Sequence, residues 1–222
     1  MPLDVPRLSA ATLVMALAAC TPSRTDMNAV ASPTALHAAD SAHQRNPAPK
    51  QAYRITMTLR DAPGPFASMK ALAQYDVVNK ACLSPPKDNP GGHTAPVPTE
   101  DVEIPLQKVS DTEYVGTVYA DQMADQDLAG HGVCQWKLMQ FRVHMKATEE
   151  HGQGQVVPSI QNAELLAGEA ETVYFNKSAY ASRDPAYAPI SFGQTDRSRF
   201  GPAITDAELF TITLSATKDG MQ

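Results

Sequence analysis

The sequence lacks most of the features by which enzymes and nucleic-acid-binding proteins are recognised. It contains no Gly-rich phosphate loop, no G-x-S-x-G elbow, no H-E-x-x-H pair and no S-x-x-K at a helix start. Its 18 Lys and Arg residues are outnumbered by 24 Asp and Glu residues, for a net charge of -6, whereas nucleic-acid-binding domains carry a basic footprint. We therefore expect neither nucleic-acid binding nor catalysis. A hydrolase without a familiar motif is the least favoured of three hypotheses about the function.

Long apolar runs are also scarce, and the one that exists lies near the N-terminus. Leu8–Ala19 follows Arg7 and has the length of the apolar region of a signal peptide, which is too short for a stable membrane span. It leads into Leu17-Ala18-Ala19-Cys20, which resembles a bacterial lipobox. The resemblance implies that residues 1–19 are a lipoprotein signal peptide and that Cys20 is the lipidation site. An ordinary signal peptide and an N-terminal helix of the fold are the alternatives.

The residues after Cys20 indicate where such a lipoprotein is held. Thr21, rather than Asp, follows the cysteine, and by resemblance to other lipoproteins this implies lipid anchoring at the periplasmic face of the outer membrane. Residues 20–50 are rich in Ala, Pro, Ser and Thr and include no aromatic residue, so we interpret them as the lipidated cysteine and a flexible tether. Residues 51–222 then form the β-sandwich domain inferred below.

Cysteine and tryptophan are both rare, which makes their positions informative. The chain has three Cys, and lipidation of Cys20 leaves Cys82 and Cys134 in an oxidising compartment. We predict a disulfide between them, with two buried free thiols as the alternative. Trp136 is the only Trp, and we expect it to pack against the disulfide in the core. Stacking on a ligand is the alternative role for it.

The hydrophobic pattern predicts strands along most of the domain. Strict alternation over Tyr53–Arg60 and Leu209–Thr217 indicates strands with one buried face. We expect further strands over Met69–Asn79, Val102–Val109, Glu113–Tyr119, Cys134–Lys146, Val156–Leu166 and Thr172–Phe175, and short helices over Asp121–Ala129 and Asn162–Leu166. The predicted fold is all-β: an antiparallel β-sandwich of seven to eight strands with long loops and one or two short helices.

Two strands carry local irregularities. The apolar phase of Cys134–Lys146 shifts by one residue between Leu138 and Met139, which predicts a β-bulge there. Pro105 cannot donate to a ladder, so Val102–Val109 is expected to be an edge strand, forming a hairpin with Glu113–Tyr119.

Metal ligands are not arranged in any familiar pattern. The spacing of His131, His144 and His151 matches no common zinc site. Asp125–Gly130 matches a calcium loop at its first, third and sixth positions, but Trp136 stands where the bidentate Glu is required. We predict no metal and no cofactor, and leave open only whether calcium binds near Asp125 and Asp127.

Two long segments interrupt the strand pattern, Leu83–Thr99 and Lys177–Thr205. Loops of this length in a compact domain usually have a function or are disordered. The second is rich in aromatic and Arg residues, which are typical of interface anchors. We predict that a protein partner docks on both segments, mainly on the second, and that the contact residues there are Tyr187, Phe192, Arg197, Arg199 and Phe200. Alternatively, the segment folds back over a sheet edge and these residues are structural.

The chain as a whole resembles periplasmic immunity lipoproteins of interbacterial toxin secretion systems. The resemblance rests on the lipobox, the Ala/Pro tether, the sandwich pattern and the segments Lys80-Ala81-Cys82 and Val133-Cys134-Gln135-Trp136. The resemblance implies a non-enzymatic protein that binds and neutralises a periplasm-acting protein, such as a toxin or cell-wall hydrolase. A net charge of -6 suits a basic partner. The alternative hypothesis is an envelope assembly or small-ligand-binding lipoprotein.

Overall fold

A computed structural model of the protein describes residues 43–85 and 96–219. The predicted signal peptide, Cys20 and the first part of the predicted tether lie outside these ranges. Within them the chain forms β1 (Ala52–Arg60), β2 (Ser68–Val77), β3 (Thr99–Ile104), β4 (Gln107–Lys108), β5 (Glu113–Tyr119), β6 (Gln126–Asp127), β7 (Val133–Cys134), β8 (Trp136–Lys146), β9 (Gln155–Val156), β10 (Ser159–Gln161), α1 (Asn162–Ala167), β11 (Ala170–Asn176), β12 (Ile190–Ser191) and β13 (Leu209–Lys218). Four 3₁₀ turns within the same ranges cover Lys80–Cys82, Lys177–Ala179, Arg197–Phe200 and Asp206–Glu208.

These strands form two sheets that share one core, together with the small β6–β7 ribbon. One sheet has the order β11-β13-β1-β5-β4, and the other has the order β12-β9-β8-β2-β3 with β10 also paired to β8. All pairs are antiparallel except β12 with β9. The fold is therefore the all-β antiparallel sandwich that the sequence predicts, with a single α-helix among the described residues.

The alternating strands place one face of each sheet in the core. In β1 the residues Tyr53, Ile55, Met57 and Leu59 are buried, whereas the residues between them are exposed or half-buried. Strand β13 pairs with β1 over its length and buries its own alternate residues in the same way. Each fully buried aliphatic or aromatic side chain contributes about 1.5–3 kcal/mol, so the buried faces of these two strands stabilise the sheet.

The bulge predicted in β8 is confirmed. Gln74 pairs with Gln140 but Tyr75 pairs with Leu138, which leaves Met139 as the extra residue. The insertion lets Leu138 before it and Phe141 after it both point into the core. The extra residue causes the change of apolar phase that the sequence shows.

Three local predictions are wrong. The expected strand Val156–Leu166 is not continuous, because it is interrupted between β9 and β10 and its second half is the helix α1. The expected strand Val102–Val109 is split at Pro105: β3 pairs with β2 in one sheet, and β4 pairs with β5 in the other. Both halves are edge strands, but only β4 forms the expected hairpin. The expected helix Asp121–Ala129 is absent, and this stretch is a turn followed by β6. Its Asp side chains accept hydrogen bonds from loop backbone, which competes with helix formation. The other expected helix is present as α1.

Residues 43–51, here called the strap, lie against the domain, although composition places most of them in the tether. The Asn46 amide donates to the Gln122 carbonyl at 2.8 Å. At the far end of the strap, the carboxylate of Asp121 accepts backbone hydrogen bonds from Lys50 and Gln51, both at 2.9 Å. The described domain therefore begins earlier than residue 51.

No helix in the described ranges is long and apolar enough to cross a membrane.

Candidate partner-binding surface

The sandwich has two ends, and the candidate residues must be located with respect to them. At one end, called the Trp136 pole, β8 begins at Trp136 and β1 begins at Ala52. Tyr75 of one sheet donates its hydroxyl to the Tyr119 carbonyl of the other sheet at 2.7 Å. Because Tyr119 pairs with Ala52, this bond shows that the two strand ends lie at the same pole. Burial raises the pKa of the Tyr75 phenol well above its ordinary value.

At the opposite end, called the loop pole, β1 ends at Arg60 and β8 ends at Lys146. The chain passes from the first sheet to the second here, since Ser68 at the start of β2 pairs with Lys146. The Lys177–Thr205 segment belongs to this pole, because it leaves β11 at Asn176 and enters β13 at Leu209, two residues that pair with each other.

The segment is fastened to the edges of both sheets. Gln155 donates its backbone N–H to the Pro189 carbonyl at 2.8 Å, which makes β12 an added strand on the six-stranded sheet. Gln194 exchanges two backbone hydrogen bonds with Tyr174 of β11, at 2.8 and 2.9 Å. Between them Gly193 has a φ of +67°, and a Cβ there would lie 2.6 Å from the Tyr174 carbonyl oxygen. The backbone of this segment therefore does cover sheet edges, as the alternative interpretation expected.

A buried glutamine fixes the first part of the segment. Gln153 is 5% exposed. Its side-chain N–H₂ donates to the carbonyls of Tyr180 and Ser182 at 3.1 and 3.0 Å, and its carbonyl accepts from the Thr148 hydroxyl at 3.1 Å. The sequence analysis did not identify Gln153, because a glutamine next to two glycines carries no periodic signal.

Three large apolar side chains of the segment nevertheless point outward. Tyr187 is 73% exposed, Phe192 is 66% exposed and Ile190 is 44% exposed. We call these three residues the apolar patch. They lie within residues 185–195, which contain no charged residue. Ile190 was missed by the sequence analysis, although its alternation with Ser191 and Phe192 places it on the same side of β12 as Phe192.

The remaining predicted contact residues have different environments. Arg197 donates to the Asp206 carboxylate and to the Ile204 carbonyl, both at 2.6 Å, so it holds the second half of the segment together. Arg199 is exposed and Phe200 is half-buried in the same 3₁₀ turn. The turn begins at Asp196, where hydrogen bonds from the Ser198 hydroxyl and backbone N–H lower the pKa of the carboxyl group.

The other predicted docking segment, Leu83–Thr99, lies at the opposite pole. Residues 86–95 are outside the described ranges, but both ends of the segment are described. It follows Cys82, and it leads into β3 where Thr99 pairs with Asp76 near the Trp136 pole. The structure therefore does not bring the described ends of this segment together with the apolar patch.

The predicted disulfide is confirmed: Cys82 and Cys134 are bonded, with their Cα atoms 5.2 Å apart. Trp136, two residues further on, is 7% exposed and belongs to the core. Its indole Nε1 is buried and has no hydrogen-bond partner within the described part of the chain. The ring of His43, from the strap, packs on it with the centroids 4.7 Å apart.

The acidic residues of the possible calcium loop bind backbone groups of their own chain. Asp127 accepts from the N–H groups of Ala129 and Gly130 at 3.1 and 2.6 Å, and the hydrogen bond from Gly130 is the main reason that its pKa is lowered. Asp125 accepts from the backbone N–H of Trp136 at 2.9 Å. Across residues 43–85 and 96–219, no three His, Cys, Asp or Glu residues form a group that could hold a metal ion.

A groove lies at the Trp136 pole, between the strap, β8 and α1. Its volume is about 680 Å³, and its walls include Asn46, Met123, Trp136, Leu138 and Leu166. The groove has room for a small ligand, and it is remote from the apolar patch.

Comparison with family models, curated proteins and solved structures gave no match. The function has to be argued from the surfaces just described.

Proposed function

We propose that this protein is a lipid-anchored periplasmic protein of the immunity or inhibitor type, which binds and neutralises a periplasm-acting protein through the Lys177–Thr205 segment. The anchor is the lipid on Cys20, and the partner is a toxin or a cell-wall hydrolase. The protein performs no chemistry itself.

One observation carries the proposal: large apolar side chains are held exposed on a segment whose backbone is fixed. Tyr187 and Phe192 are mostly exposed, and the backbone between them is paired to β9. Exposed aromatic residues on a preorganised backbone lose little conformational entropy on binding, so they are efficient interface anchors. Arg197 binds Asp206 and the Ile204 carbonyl and so holds the second half of the segment; together with Arg199 and Phe200 it stays a predicted contact residue.

The experiment is a comparison of pull-downs from the periplasm of the source cell. The soluble domain, the double variant Tyr187→Ala/Phe192→Ala and the control Val133→Ala are used in parallel. Val133 is 57% exposed at the Trp136 pole, so it matches the patch residues in exposure and differs in place. A stoichiometric partner should be retained by the first and third proteins and lost by the second.

The magnitude expected for the double variant follows from the exposure of the two side chains. Truncating a central aromatic anchor costs about 2 kcal/mol or more of binding free energy, which is roughly a 30-fold weaker Kd. The free energy of unfolding should change by no more than about 0.5 kcal/mol, because surface substitutions rarely do more. Equal retention of the partner by all three proteins would exclude the patch as the contact surface.

A second candidate function, an envelope assembly or small-ligand-binding lipoprotein, is favoured by the groove at the Trp136 pole. The buried indole N–H of Trp136 has no acceptor among residues 43–85 and 96–219, and a ligand carbonyl reaching it would supply one. Because Trp136 is the only Trp, a change in intrinsic fluorescence on adding periplasmic extract freed of protein would support this function over the first.

A further inference from the structure

The groove at the Trp136 pole has the size of a small-molecule site. Its volume of about 680 Å³ lies within the range of about 300–1,000 Å³ that ligand pockets span. The large apolar residues of its lining come from β8, α1 and the turn after β5, and they are Met123, Trp136, Leu138 and Leu166. Leu166 is 43% exposed, whereas the other three are buried. A ligand in the groove would therefore cover an apolar side chain that the folded chain leaves in water.

The polar residues of the lining offer both donors and acceptors. They are Asn46, Gln51, Asp121, Asp125, Lys137 and Asn162. Gln51 and Lys137 are exposed, and Asn162 is half-buried. Amide side chains donate and accept hydrogen bonds, an ammonium group only donates, and a carboxylate only accepts. A ligand with several hydroxyl groups, each of which donates and accepts, matches such a lining.

The two carboxylates of the lining are held in place by the chain itself. Asp121 accepts backbone hydrogen bonds from Lys50 and Gln51, both at 2.9 Å. Burial by itself raises the pKa of Asp121, but these hydrogen bonds outweigh it and leave that pKa below its ordinary value. Asp125 accepts from the backbone N–H of Trp136 at 2.9 Å. A carboxylate has about four lone-pair sites, so both groups can accept further hydrogen bonds without losing side-chain freedom on binding.

The indole of Trp136 adds a requirement for a carbonyl acceptor. Its Nε1 is buried and has no hydrogen-bond partner among residues 43–85 and 96–219. The ring of His43 packs on the indole with the centroids 4.7 Å apart. A buried donor without an acceptor costs free energy, which a ligand carbonyl would recover once the neighbouring side chains give it access. An acetamide joins such a carbonyl to a methyl group, which suits the apolar side chains beside the indole.

We propose that the groove binds a sugar that carries N-acetyl groups, with its hydroxyl groups on the polar side chains and an acetamide carbonyl on the Trp136 indole. The lining has two carboxylates, Asp121 and Asp125, and one ammonium group, Lys137, so it favours an uncharged ligand over an anion. The inference rests on the second candidate function, for which it names the ligand class. It does not depend on the Lys177–Thr205 segment, which belongs to the other pole.

The test observes the indole proton directly by NMR. Because Trp136 is the only Trp, its indole N–H signal in a ¹H–¹⁵N spectrum needs no assignment. The sample is the ¹⁵N-labelled chain from residue 20 onward with Cys20→Ser, which keeps it free of lipid. The probe is triacetylchitotriose, titrated to about 10 mM, which is roughly tenfold above a Kd of 1 mM. We expect a saturable shift of the indole proton to lower field as it binds the carbonyl.

Two further probes separate the groups that the groove is proposed to recognise. Cellotriose has the same sugar skeleton with hydroxyl groups in place of the acetamides, and N-acetyl-trialanine amide has carbonyls without hydroxyl groups. Each should bind at least about tenfold more weakly, because polar groups of the site are then left without a partner. Equal binding of cellotriose, or equal binding of the peptide, would overturn the inference, and the latter result would reassign the groove to peptides.

A matched pair of variants places the binding in the groove. Leu166→Ala removes part of its exposed lining, whereas Val133→Ala changes a residue that is 57% exposed at the same pole and outside the lining. We expect Leu166→Ala to weaken the Kd about tenfold, which corresponds to about two methylene groups removed from contact. Val133→Ala should leave the Kd unchanged. If the two variants bind triacetylchitotriose equally well, the ligand does not lie in the groove.

The absence of a saturable shift with triacetylchitotriose would also overturn the inference. Its failure can be distinguished from failure of the second candidate function. If Trp136 fluorescence still changes on adding protein-free periplasmic extract, that function stands with a ligand of another class; if it does not, both fail. Partner retention by Tyr187→Ala/Phe192→Ala tests the first function separately, at the other pole.

Discussion

Replacing Gln153 by Leu removes the buried amide that fixes the path of the chain beneath the apolar patch. Leu has a similar volume, so the core is not emptied. The amide donates to the carbonyls of Tyr180 and Ser182. Ser182 keeps a second hydrogen bond, because its carbonyl also accepts from the Gly154 amide at 2.8 Å. Tyr180 therefore loses more than Ser182 does.

The magnitude follows from the part-buried Tyr180 carbonyl, which is left without the Gln153 donor. An unpaired carbonyl of this kind lowers the free energy of unfolding by about 1–3 kcal/mol. The apolar surface that Leu buries offsets part of what is lost with the other hydrogen bonds. We expect Gln153→Leu to lower the free energy of unfolding by about 2 kcal/mol. For a domain of this size the melting temperature should fall by roughly 4–8 °C.

A second substitution separates loss of hydrogen bonds from loss of shape. Gln153→Glu preserves the shape but places a carboxylate against carbonyl oxygens, so it should destabilise more than Gln153→Leu at neutral pH. Burial and these carbonyls raise the pKa of the new carboxyl group in the folded state. The penalty should therefore be largest above that raised pKa and should diminish as the pH falls through it.

The assay is urea unfolding followed by circular dichroism, with Gln107→Leu as the control. Gln107 is exposed on the edge strand β4, and its replacement should change the free energy of unfolding by no more than about 0.5 kcal/mol. If Gln153→Leu behaves like the control, or if Gln153→Glu is no worse than Gln153→Leu, then the amide does not fix the segment and the reasoning is refuted.

Three further predictions concern the anchor, the disulfide and the strap. Cys20→Ser should release the protein from the membrane fraction, as cell fractionation with an immunoblot will show. Replacing Cys82 and Cys134 by Ala should lower the free energy of unfolding by about 4 kcal/mol, because 52 residues of separation close a long loop in the unfolded chain. Asp121→Ala should detach the strap and shift the fluorescence of Trp136 to longer wavelength. In the natural protein the pKa of Asp121 is lowered in the folded state. The contribution of Asp121 to the free energy of unfolding is therefore present above about pH 4 and is lost as the pH falls through the folded-state pKa.

Each of these predictions has an outcome that contradicts it. Sedimentation of the Ser variant with membranes after signal removal would place the anchor elsewhere. Equal unfolding midpoints with and without the disulfide would show that the bond constrains nothing in the unfolded chain. For the strap, Asp111→Ala is the matched control, since the Asp111 side chain is 95% exposed at the other pole. If the Trp136 fluorescence spectra of the two Asp variants are identical, Asp121 does not hold the strap.

The sequence by itself determined the features that depend on local pattern or on simple counting. Alternation identified β1 and β13, because a strand with one buried face must repeat every two residues. A change of phase located the bulge at Met139 for the same reason. With Cys20 set aside as the predicted lipidation site, Cys82 and Cys134 were the one pair left, so counting alone predicted their disulfide, with two free thiols as the alternative.

The tertiary structure decided what depends on contacts between distant residues. Asp121 could cap a helix or bind a neighbouring segment with equal local logic, and the presence of the strap determined the second outcome. In the same way only the structure shows that Arg197 binds Asp206 within its own segment and that the side chain of Tyr187 is exposed. Whether the two long segments shared a pole depended on strand order and register, which are set by packing of the whole core and have no local signature.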